Sequence, residues 1–250
     1  MKEVHLFYAP DIALNNELPS EEATHAVRVL RMKEGEQILG TDGKGWLYEC
    51  TITLTSPKHC HVRIDNSNYI DKFWRGNIHL AVAPTKNMDR MEWLTEKATE
   101  IGFDGIHFLN CKNSERHVLK TERIEKIVVS ATKQSHKTFK PQVHEMIPFK
   151  NFIEQSGQQQ KFIAHCHEEG LPFLGDLIDS ESDSLILIGP EGDFSIEEVK
   201  LAESHGFQSV SLGKSRLRTE TAALVAVHLA HLSKRISPPL SALRTPPCPL

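Results

Sequence analysis

The 250-residue sequence lacks the features that mark several large protein classes. It has no run of about 18 apolar residues, as a membrane-spanning helix requires, and its first residues, MKEVHL, lack the apolar core of a secretory signal. Its five cysteines are widely spaced and include no Cys-x-x-Cys pair, which favours reduced thiols over a disulfide framework. These absences predict a cytoplasmic protein with no membrane association.

Motifs of the common nucleotide-binding and hydrolytic enzymes are also absent. The sequence contains no Gly-x-Gly-x-x-Gly, no Gly-x-x-x-x-Gly-Lys-Ser/Thr and no Gly-x-Ser-x-Gly. A net charge of −4 argues against nonspecific coating of nucleic acid. Charge is uneven, however, because residues 111–140 carry eight Lys or Arg against three acids, whereas residues 162–199 carry no Lys or Arg. A local basic face for RNA therefore remains possible.

Hydrophobic patterning predicts two domains and a tail. Residues 46–54 and 61–64 have strand character and residues 20–31 predict one helix, so residues 1–70 predict a small β-barrel domain. Strands near 78–84, 106–109, 161–167, 185–188 and 210–212 alternate with helices near 85–101, 121–134, 196–205 and 220–235. This alternation predicts an α/β domain with a parallel sheet over 78–236. The proline-rich residues 237–250 predict a disordered tail.

Two glycine-bearing loops organise the second domain. Gly-Pro-Glu-Gly at 189–192 follows a continuously apolar strand and precedes a capping box formed by Ser195 and Glu198. Gly213 follows the next strand and begins a basic loop over 214–218. The carboxyl ends of neighbouring parallel strands are where an open α/β sheet binds ligands, and glycines allow close backbone approach. The residues alone leave a purely structural role equally open.

Gly-Pro-Glu-Gly, taken with the later Leu-Gly-x-x-x-Leu-Arg-Thr-Glu-Thr-Ala, resembles the cofactor site of the SPOUT methyltransferases, specifically of those that methylate uracil N3 in 16S ribosomal RNA. The resemblance implies a C-terminal trefoil knot, S-adenosyl-L-methionine as cofactor, a specific uridine of the small ribosomal subunit as acceptor, and a homodimer. The cofactor-binding residues that it implies are His165, Leu187, Ile188, Gly189, Pro190, Glu191, Gly192, Ser211, Leu212, Gly213 and Leu217.

Two groups of basic residues are candidates for RNA contact. His25, Arg28 and Arg31 recur every third residue, which predicts one side of a helix; this side is either a solvated face or a phosphate-contacting stripe. The run 25–31, with Asp42 and Gly43, also resembles the PUA-like RNA-binding domain of the same family. In the second domain the resemblance implies RNA contacts from Lys86 and Arg90 and from Lys137, which stands where the family usually has arginine.

Arg218 and Glu220 are the predicted catalytic residues. Uracil N3 is a poor nucleophile while protonated, and Arg218 suits the negative charge that develops on the base. Glu220 is either a general base or a helix cap. No metal is expected, since the two His-Cys-His runs have no partner cluster at ligand spacing. The alternatives are a noncatalytic RNA-binding or assembly factor with the same fold, and a nucleotide-binding enzyme, which lacks its expected motifs.

Overall fold

The computed structural model describes residues 4–236, so the predicted tail over 237–250 lies outside the described residues. Within that range the chain forms two sheets joined by the segment 70–77. The first contains four strands and the second contains six. This is the two-part architecture that the hydrophobic pattern predicts.

The N-terminal sheet contains β1 (Leu6–Tyr8), β2 (Gln37–Thr41), β3 (Trp46–Thr55) and β4 (Cys60–Tyr69) in that order. Helix α1 (Ile12–Asn15) and the following residues cross from β1 to the far edge of β4, where Leu18 N–H donates to Cys60 O at 2.9 Å. Both edges therefore enclose one apolar interior, which includes Phe7, Ile12, Ile38, Ile52 and Val62. Strands β1 and β2 were not predicted, because they are short and follow no strict alternation.

The predicted helix over 20–31 is broken into two parts. Helix α2 covers Ser20–Thr24, and a π-helical segment, His25–Val29, follows it with Leu30 N–H bonded to His25 O. Arg31 lies beyond this segment with φ 56°. The prediction that His25, Arg28 and Arg31 lie along one side of a helix is therefore wrong, because a π-helical turn does not bring every third residue onto the same side. All three basic side chains of the stripe are nevertheless exposed.

The C-terminal sheet is parallel throughout, as predicted, with strand order β10-β8-β9-β5-β6-β7. Of its two central strands, β9 is continuously apolar from Leu185 to Ile188 and β5 is apolar except for His79, because helices cover both faces. Strand β10 ends at Val210, so residues 211–212 of the predicted strand over 210–212 belong to the loop that follows. The bounds are β5 (Ile78–Val82), β6 (Gly105–Asn110), β7 (Gln142–Pro148), β8 (Gln160–Ala164), β9 (Ser184–Ile188) and β10 (Gln208–Val210).

Six helices accompany this sheet. Two of them, α3 and α7, begin at side-chain caps. The Asn87 side chain accepts from Asp89 N–H at 2.9 Å, which starts α3 three residues later than predicted, and Ser195 with Glu198 forms the predicted capping box of α7. Helices α3 and α8 belong to the core on one face, and α5 and α7 to the core on the other. The bounds are α3 (Met88–Ile101), α4 (Glu122–Gln134), α5 (Phe149–Gln155), α6 (Leu174–Leu177), α7 (Ile196–Ser204) and α8 (Thr219–Lys234).

The two sheets are docked through the segment that follows α4. Gly45 N–H donates to Thr138 O at 3.0 Å, and Lys44 and Phe139 form an antiparallel bridge. Lys133 on α4 bonds Glu22 on α2 at 2.6 Å, with both side chains largely buried. Backbone pairing and a shielded ion pair thus hold the N-terminal sheet against the end of α4.

Candidate functional site

A cavity of about 480 Å³ lies at the carboxyl ends of β8, β9 and β10. Its walls come from three loops, which follow these strands, and from the beginning of α8, while Arg90 reaches it from α3. This is the edge at which an open α/β sheet presents ligand sites. The predicted residues that line it are Arg90, His165, Ile188, Gly189, Pro190, Glu191, Ser211, Leu212, Gly213, Leu217 and Arg218.

The loop after β9 is fixed by hydrogen bonds from its neighbours. Asp193, with φ 62°, turns the chain, and its Oδ2 accepts from Cys166 N–H at 2.9 Å. Asn113 donates to the carbonyls of Gly192 and Asp193, and Glu191 accepts from Lys86 N–H at 3.1 Å. These bonds join the loops after β5, β6, β8 and β9 into one preformed wall.

Gly189 is required by close packing within this loop. A Cβ at this position would lie 3.0 Å from Phe194 N and 3.2 Å from the Phe194 ring. Neither contact can open without moving the backbone that begins α7. Phe194 belongs to the apolar core of α5 and α7 and does not line the cavity, so glycine is required here by core packing.

The loop after β10 is built around Ser211. Its backbone is already paired, since Ser211 N–H donates to Pro172 O at 2.8 Å and its carbonyl accepts from Leu174 N–H at 3.0 Å. Its hydroxyl accepts from Gly213 N–H at 3.1 Å. Gly213 has φ 119°, a conformation that other residues adopt only with strain. The backbone groups of residues 211–213 were predicted to hold a cofactor. Among them, the N–H and carbonyl of Leu212 are the groups that make no hydrogen bond to another described residue.

His165 lies in the cavity wall as a neutral imidazole. Its Nε2 is 2.9 Å from Ser209 Oγ, and this hydroxyl donates its proton to Glu203 at 2.7 Å. Nε2 must therefore carry the hydrogen, while Nδ1 accepts from His167 N–H at 3.3 Å. Burial lowers the pKa of His165, which keeps the ring uncharged at neutral pH.

Glu220 lies behind the cavity wall and does not line it. The residue is 7% exposed, and its Oε2 is buried without a hydrogen-bond partner among the described residues. Its Oε1 is 3.7 Å from Nε of Arg90. Arg218 occupies the N-cap position of α8, is exposed, and makes no side-chain cap. The carboxylate of Glu220 is thus paired with Arg90, and no cap contact supports the alternative role predicted for it.

Two predicted cofactor residues lie outside the cavity lining. Leu187 packs with Leu109 and Phe149 in the core on the opposite face of the sheet, because successive strand residues point to opposite faces. Gly192 faces Asn113, which a Cβ would approach to 3.2 Å. Cys166, expected beside His165 in the wall that follows β8, lines the cavity. The rest of the lining consists of residues that the motifs did not single out for the site: Ala164, Asp193, Val210, Ser215, Arg216, Thr219 and Ala222.

Lys137 is occupied by a structural contact and is not free for phosphate. Its ammonium donates to Glu100 O at the end of α3 at 2.6 Å, and burial lowers its pKa. Lys86 is exposed and pairs with Glu115 at 3.0 Å.

The basic character of residues 111–140 is also largely neutralised. Ion pairs join its cations to acids from several elements, some of them distant in sequence. Residues 111–140 therefore do not form the predicted basic face as a patch of unpaired charge, because most of their cations pair with acids. The pairs are Lys112–Glu197, Arg123–Glu92, Lys126–Glu21, Lys133–Glu22 and Lys140–Glu125.

The described range contains neither a candidate metal site nor a candidate membrane-spanning helix. Between residues 4 and 236, no three His, Cys, Asp or Glu side chains are arranged so that they could share a metal ion. None of the helices in that range has the length and apolarity that crossing a membrane requires.

Comparison with known families gives two matches along the chain. Residues 73–231 match the model of an RNA methyltransferase domain, and residues 18–65 match the model of an RNA methyltransferase PUA domain. The first match covers the six-stranded sheet and the cavity. The second covers most of the N-terminal sheet.

Individual relatives match over nearly their whole length. The chain is 28% identical over 235 residues to ribosomal RNA small subunit methyltransferase E of Rickettsia conorii, covering 91% of this chain and 94% of the relative. A solved structure described as a probable rRNA methyltransferase from Porphyromonas gingivalis is 44% identical, with TM-score 0.87 over 92% of this chain and 98% of that one. Ribosomal RNA small subunit methyltransferase E of Neisseria gonorrhoeae, solved with bound S-adenosyl methionine, is 28% identical, with TM-score 0.78 over 90% and 95%.

Proposed function

This chain belongs to the RNA methyltransferase family, and from that premise we propose that it methylates N3 of one uridine in the 16S RNA of the small ribosomal subunit. S-adenosyl-L-methionine is the methyl donor. The observation that carries the proposal is the cavity formed by the loops after β8, β9 and β10. It lies in the region matched by the RNA methyltransferase model, and a relative with the same architecture was solved with this cofactor.

The cavity suits this donor in size and in charge. Its volume, about 480 Å³, falls in the range of small-molecule sites. The donor carries a sulfonium cation. The carboxylates of Glu191 and Asp193 line the cavity, and the imidazole of His165 is neutral. A protonated histidine in that wall would repel the donor, so the buried neutral ring favours binding.

When bound, S-adenosyl-L-methionine supplies an electrophilic methyl group. The residues of this chain then have two tasks, which are to orient the reactants and to exclude water. They must also favour the deprotonated form of uracil, whose N3 lone pair attacks. Arg218 lines the cavity without an ion-pair partner among the described residues, so its charge is available to the uracil anion. N3 lies on the pairing edge of the base, so the uridine must be unpaired when it enters.

The exposed residues His25, Arg28 and Arg31 are proposed to contact RNA phosphates from the N-terminal domain, residues 1–70. The catalytic domain, residues 78–236, is proposed to contain a C-terminal trefoil knot and to act as a homodimer in the cytoplasm. Support for the dimer comes from α8, where Leu232 remains 43% exposed and Leu224 and Leu229 are only partly buried. A largely apolar helix that is incompletely covered in one chain is suited to a subunit interface.

Calorimetric titration with S-adenosyl-L-methionine, with ATP and NAD as controls, tests the donor site. Transfer of a labelled methyl group to small ribosomal subunits and to naked 16S RNA then tests the acceptor. Because N3 methylation removes a pairing donor, reverse transcription should stop at the modified uridine. Donor binding without transfer to either RNA would favour a noncatalytic assembly factor that has kept the fold. Selective binding of ATP or NAD would refute the proposed cofactor.

Arg218→Ala tests the proposed electrostatic role. The variant should bind the donor at least as tightly as the parent, because it removes a positive charge from the wall of a site for a cation, yet methyl transfer should fall by roughly 100-fold, the scale of losing one charge-stabilising group. Unchanged turnover would remove Arg218 from the mechanism.

A further inference from the structure

Three arginines line the cavity, and the RNA-contact prediction does not explain the position of one of them, Arg90. Arg90 lies in the first turn of α3, a helix that contributes no other residue to the lining, and it shares the cavity with Arg216 and with Arg218 at the start of α8. Its Nε lies 3.7 Å from Oε1 of Glu220, and its side chain is 38% exposed against 10% for Glu220. A phosphate-contacting arginine on an open surface needs no buried carboxylate behind it.

Glu220 is poorly placed to act as the base. Its Oε2 is buried and has no partner among the described residues, and the residue does not line the cavity. A proton on a substrate in the cavity therefore has no direct path to this oxygen. What the carboxylate does contact is Arg90, and a buried charge acts most strongly on its nearest ion. Its physical effect is to hold the Arg90 guanidinium in place.

Resting on the proposed function, we propose that Arg90 and Arg218 together stabilise the uracil anion, and that Glu220 positions Arg90. Loss of the N3 proton to water spreads negative charge over the two carbonyl oxygens that flank N3. One guanidinium bridging both oxygens would occupy the in-plane path by which the methyl group must reach N3. Two cations from different helices can each bind one oxygen and leave that path open.

The reaction then balances with no protein base. The N3 proton passes to water, the N3 lone pair forms the bond to the methyl carbon, and the carbon–sulfur bond breaks with its electron pair left on sulfur. Neither arginine gives up or takes up a proton in this step; each contributes its positive charge. The nucleophile is the anion, so the methyl-transfer rate should rise with pH until N3 is ionised in the bound substrate.

The test compares Arg90→Gln, Glu220→Gln and the double variant with Lys97→Gln, which removes one charge from the same helix outside the cavity. Single-turnover methylation of small subunits is measured from pH 6 to pH 10, with donor affinity and RNA affinity measured separately. Arg90→Gln should be about 100-fold slower at neutral pH, with both affinities within about twofold of the parent. Its rate should rise at higher pH than the parent's, because one fewer cation stabilises the anion.

The double variant separates chemistry from folding. Arg90→Gln alone leaves a buried unpaired carboxylate and should be less stable than the parent, whereas the double variant removes both charges and should recover thermal stability. Its rate should stay about 100-fold low. Glu220→Gln should keep the rise in rate with pH, since Glu220 is not the base. Lys97→Gln should match the parent throughout.

Other outcomes would overturn the inference. A loss of RNA affinity with an unchanged single-turnover rate at saturation would make Arg90 a phosphate contact. A parent rate that does not change from pH 6 to pH 10, with a Glu220→Gln rate that is low and rises with pH, would make Glu220 the base. A rate recovered in the double variant would make the Arg90–Glu220 pair merely structural. Failure of the proposed function would appear differently, as a parent protein whose product is not N3-methyluridine.

Discussion

Three histidines on adjacent strands predict a marked loss of stability in acid. His79, His107 and His144 lie on β5, β6 and β7, and the rings of His107 and His144 stack with centroids 4.0 Å apart and planes 6° apart. Nε2 of His107 is 3.4 Å from Nδ1 of His79. Burial, together with the two neighbouring imidazoles, lowers the pKa of His107 to about 3.

The sign follows from which state binds the proton. The unfolded chain takes up a proton on His107 below about pH 6.5, whereas the folded protein resists it until about pH 3. The stabilisation is therefore complete above pH 6.5 and is lost as pH falls towards 3. Between about pH 6.5 and pH 4.5 protonation of His107 favours the unfolded chain over about two pH units. Each unit is worth 1.36 kcal/mol, so the folded protein loses about 2.7 kcal/mol of stability at pH 4.5. Burial lowers the pKa of His79 and His144 as well, so they act in the same direction.

The perturbation is His107→Phe, which keeps an aromatic ring against His144 and Phe152 and removes the titrating group. Urea unfolding at pH 7.5 and pH 4.5 gives the acid-induced loss of stability for each protein. That loss should be smaller in the variant by about 2–3 kcal/mol, while carboxylate contributions cancel because both proteins share them. His117→Phe, at an exposed position, serves as the control. Equal losses in His107→Phe and the parent would refute the reasoning.

Three further perturbations follow from single contacts. Ser195→Ala removes the α7 capping box and should lower unfolding free energy by about 1 kcal/mol in urea titrations. Gly213→Trp places a large side chain at the cavity loop, where no atom lies within 4 Å of the added Cβ. Calorimetry should therefore detect no donor binding, while circular dichroism stays native. Normal affinity would disprove the pocket assignment. Lys133→Met leaves Glu22 buried and unpaired, so its melting temperature should fall and be largely restored by adding Glu22→Gln.

The sequence predicted the central part of the second sheet better than its edges. Strand β9 is an apolar run, and β5 and β6 are largely apolar apart from His79 and His107, because helices cover both faces; such runs are recognisable without any partner. Edge strand β7 (Gln142–Pro148) is covered only in part and has no buried residue, so its sequence carries no clear period. In the N-terminal domain the π-helical turn has no signature that distinguishes it from the start of an ordinary helix. The hydrophobic pattern of the sequence therefore predicted best the strands that other elements cover most completely.

The site divides along a similar line. Loop residues such as Gly189 and Gly213 could be predicted, because their neighbours in sequence are also their neighbours in the cavity. The partners of Arg90 and Lys137 are the carboxylate of Glu220 and the backbone carbonyl of Glu100. Neither could be predicted, because only the folded arrangement of helices brings these groups together. A basic residue in a sequence shows only that a charge is present. Whether that charge is free depends on acids that sequence separation conceals.

This distinction locates the charge that remains to attract an anion. Most cations of the segment 111–140 are ion-paired, yet Lys214, Arg216 and Arg218 have no ion pair within residues 4–236. Arg216 and Arg218 also line the cavity, which itself suits a cationic donor. Unpaired cations beside a site for a cation are unfavourable unless an anion joins them, and RNA supplies one in its phosphates. The same loop would then bind the RNA backbone and stabilise the reacting base, so donor affinity should rise when RNA is bound.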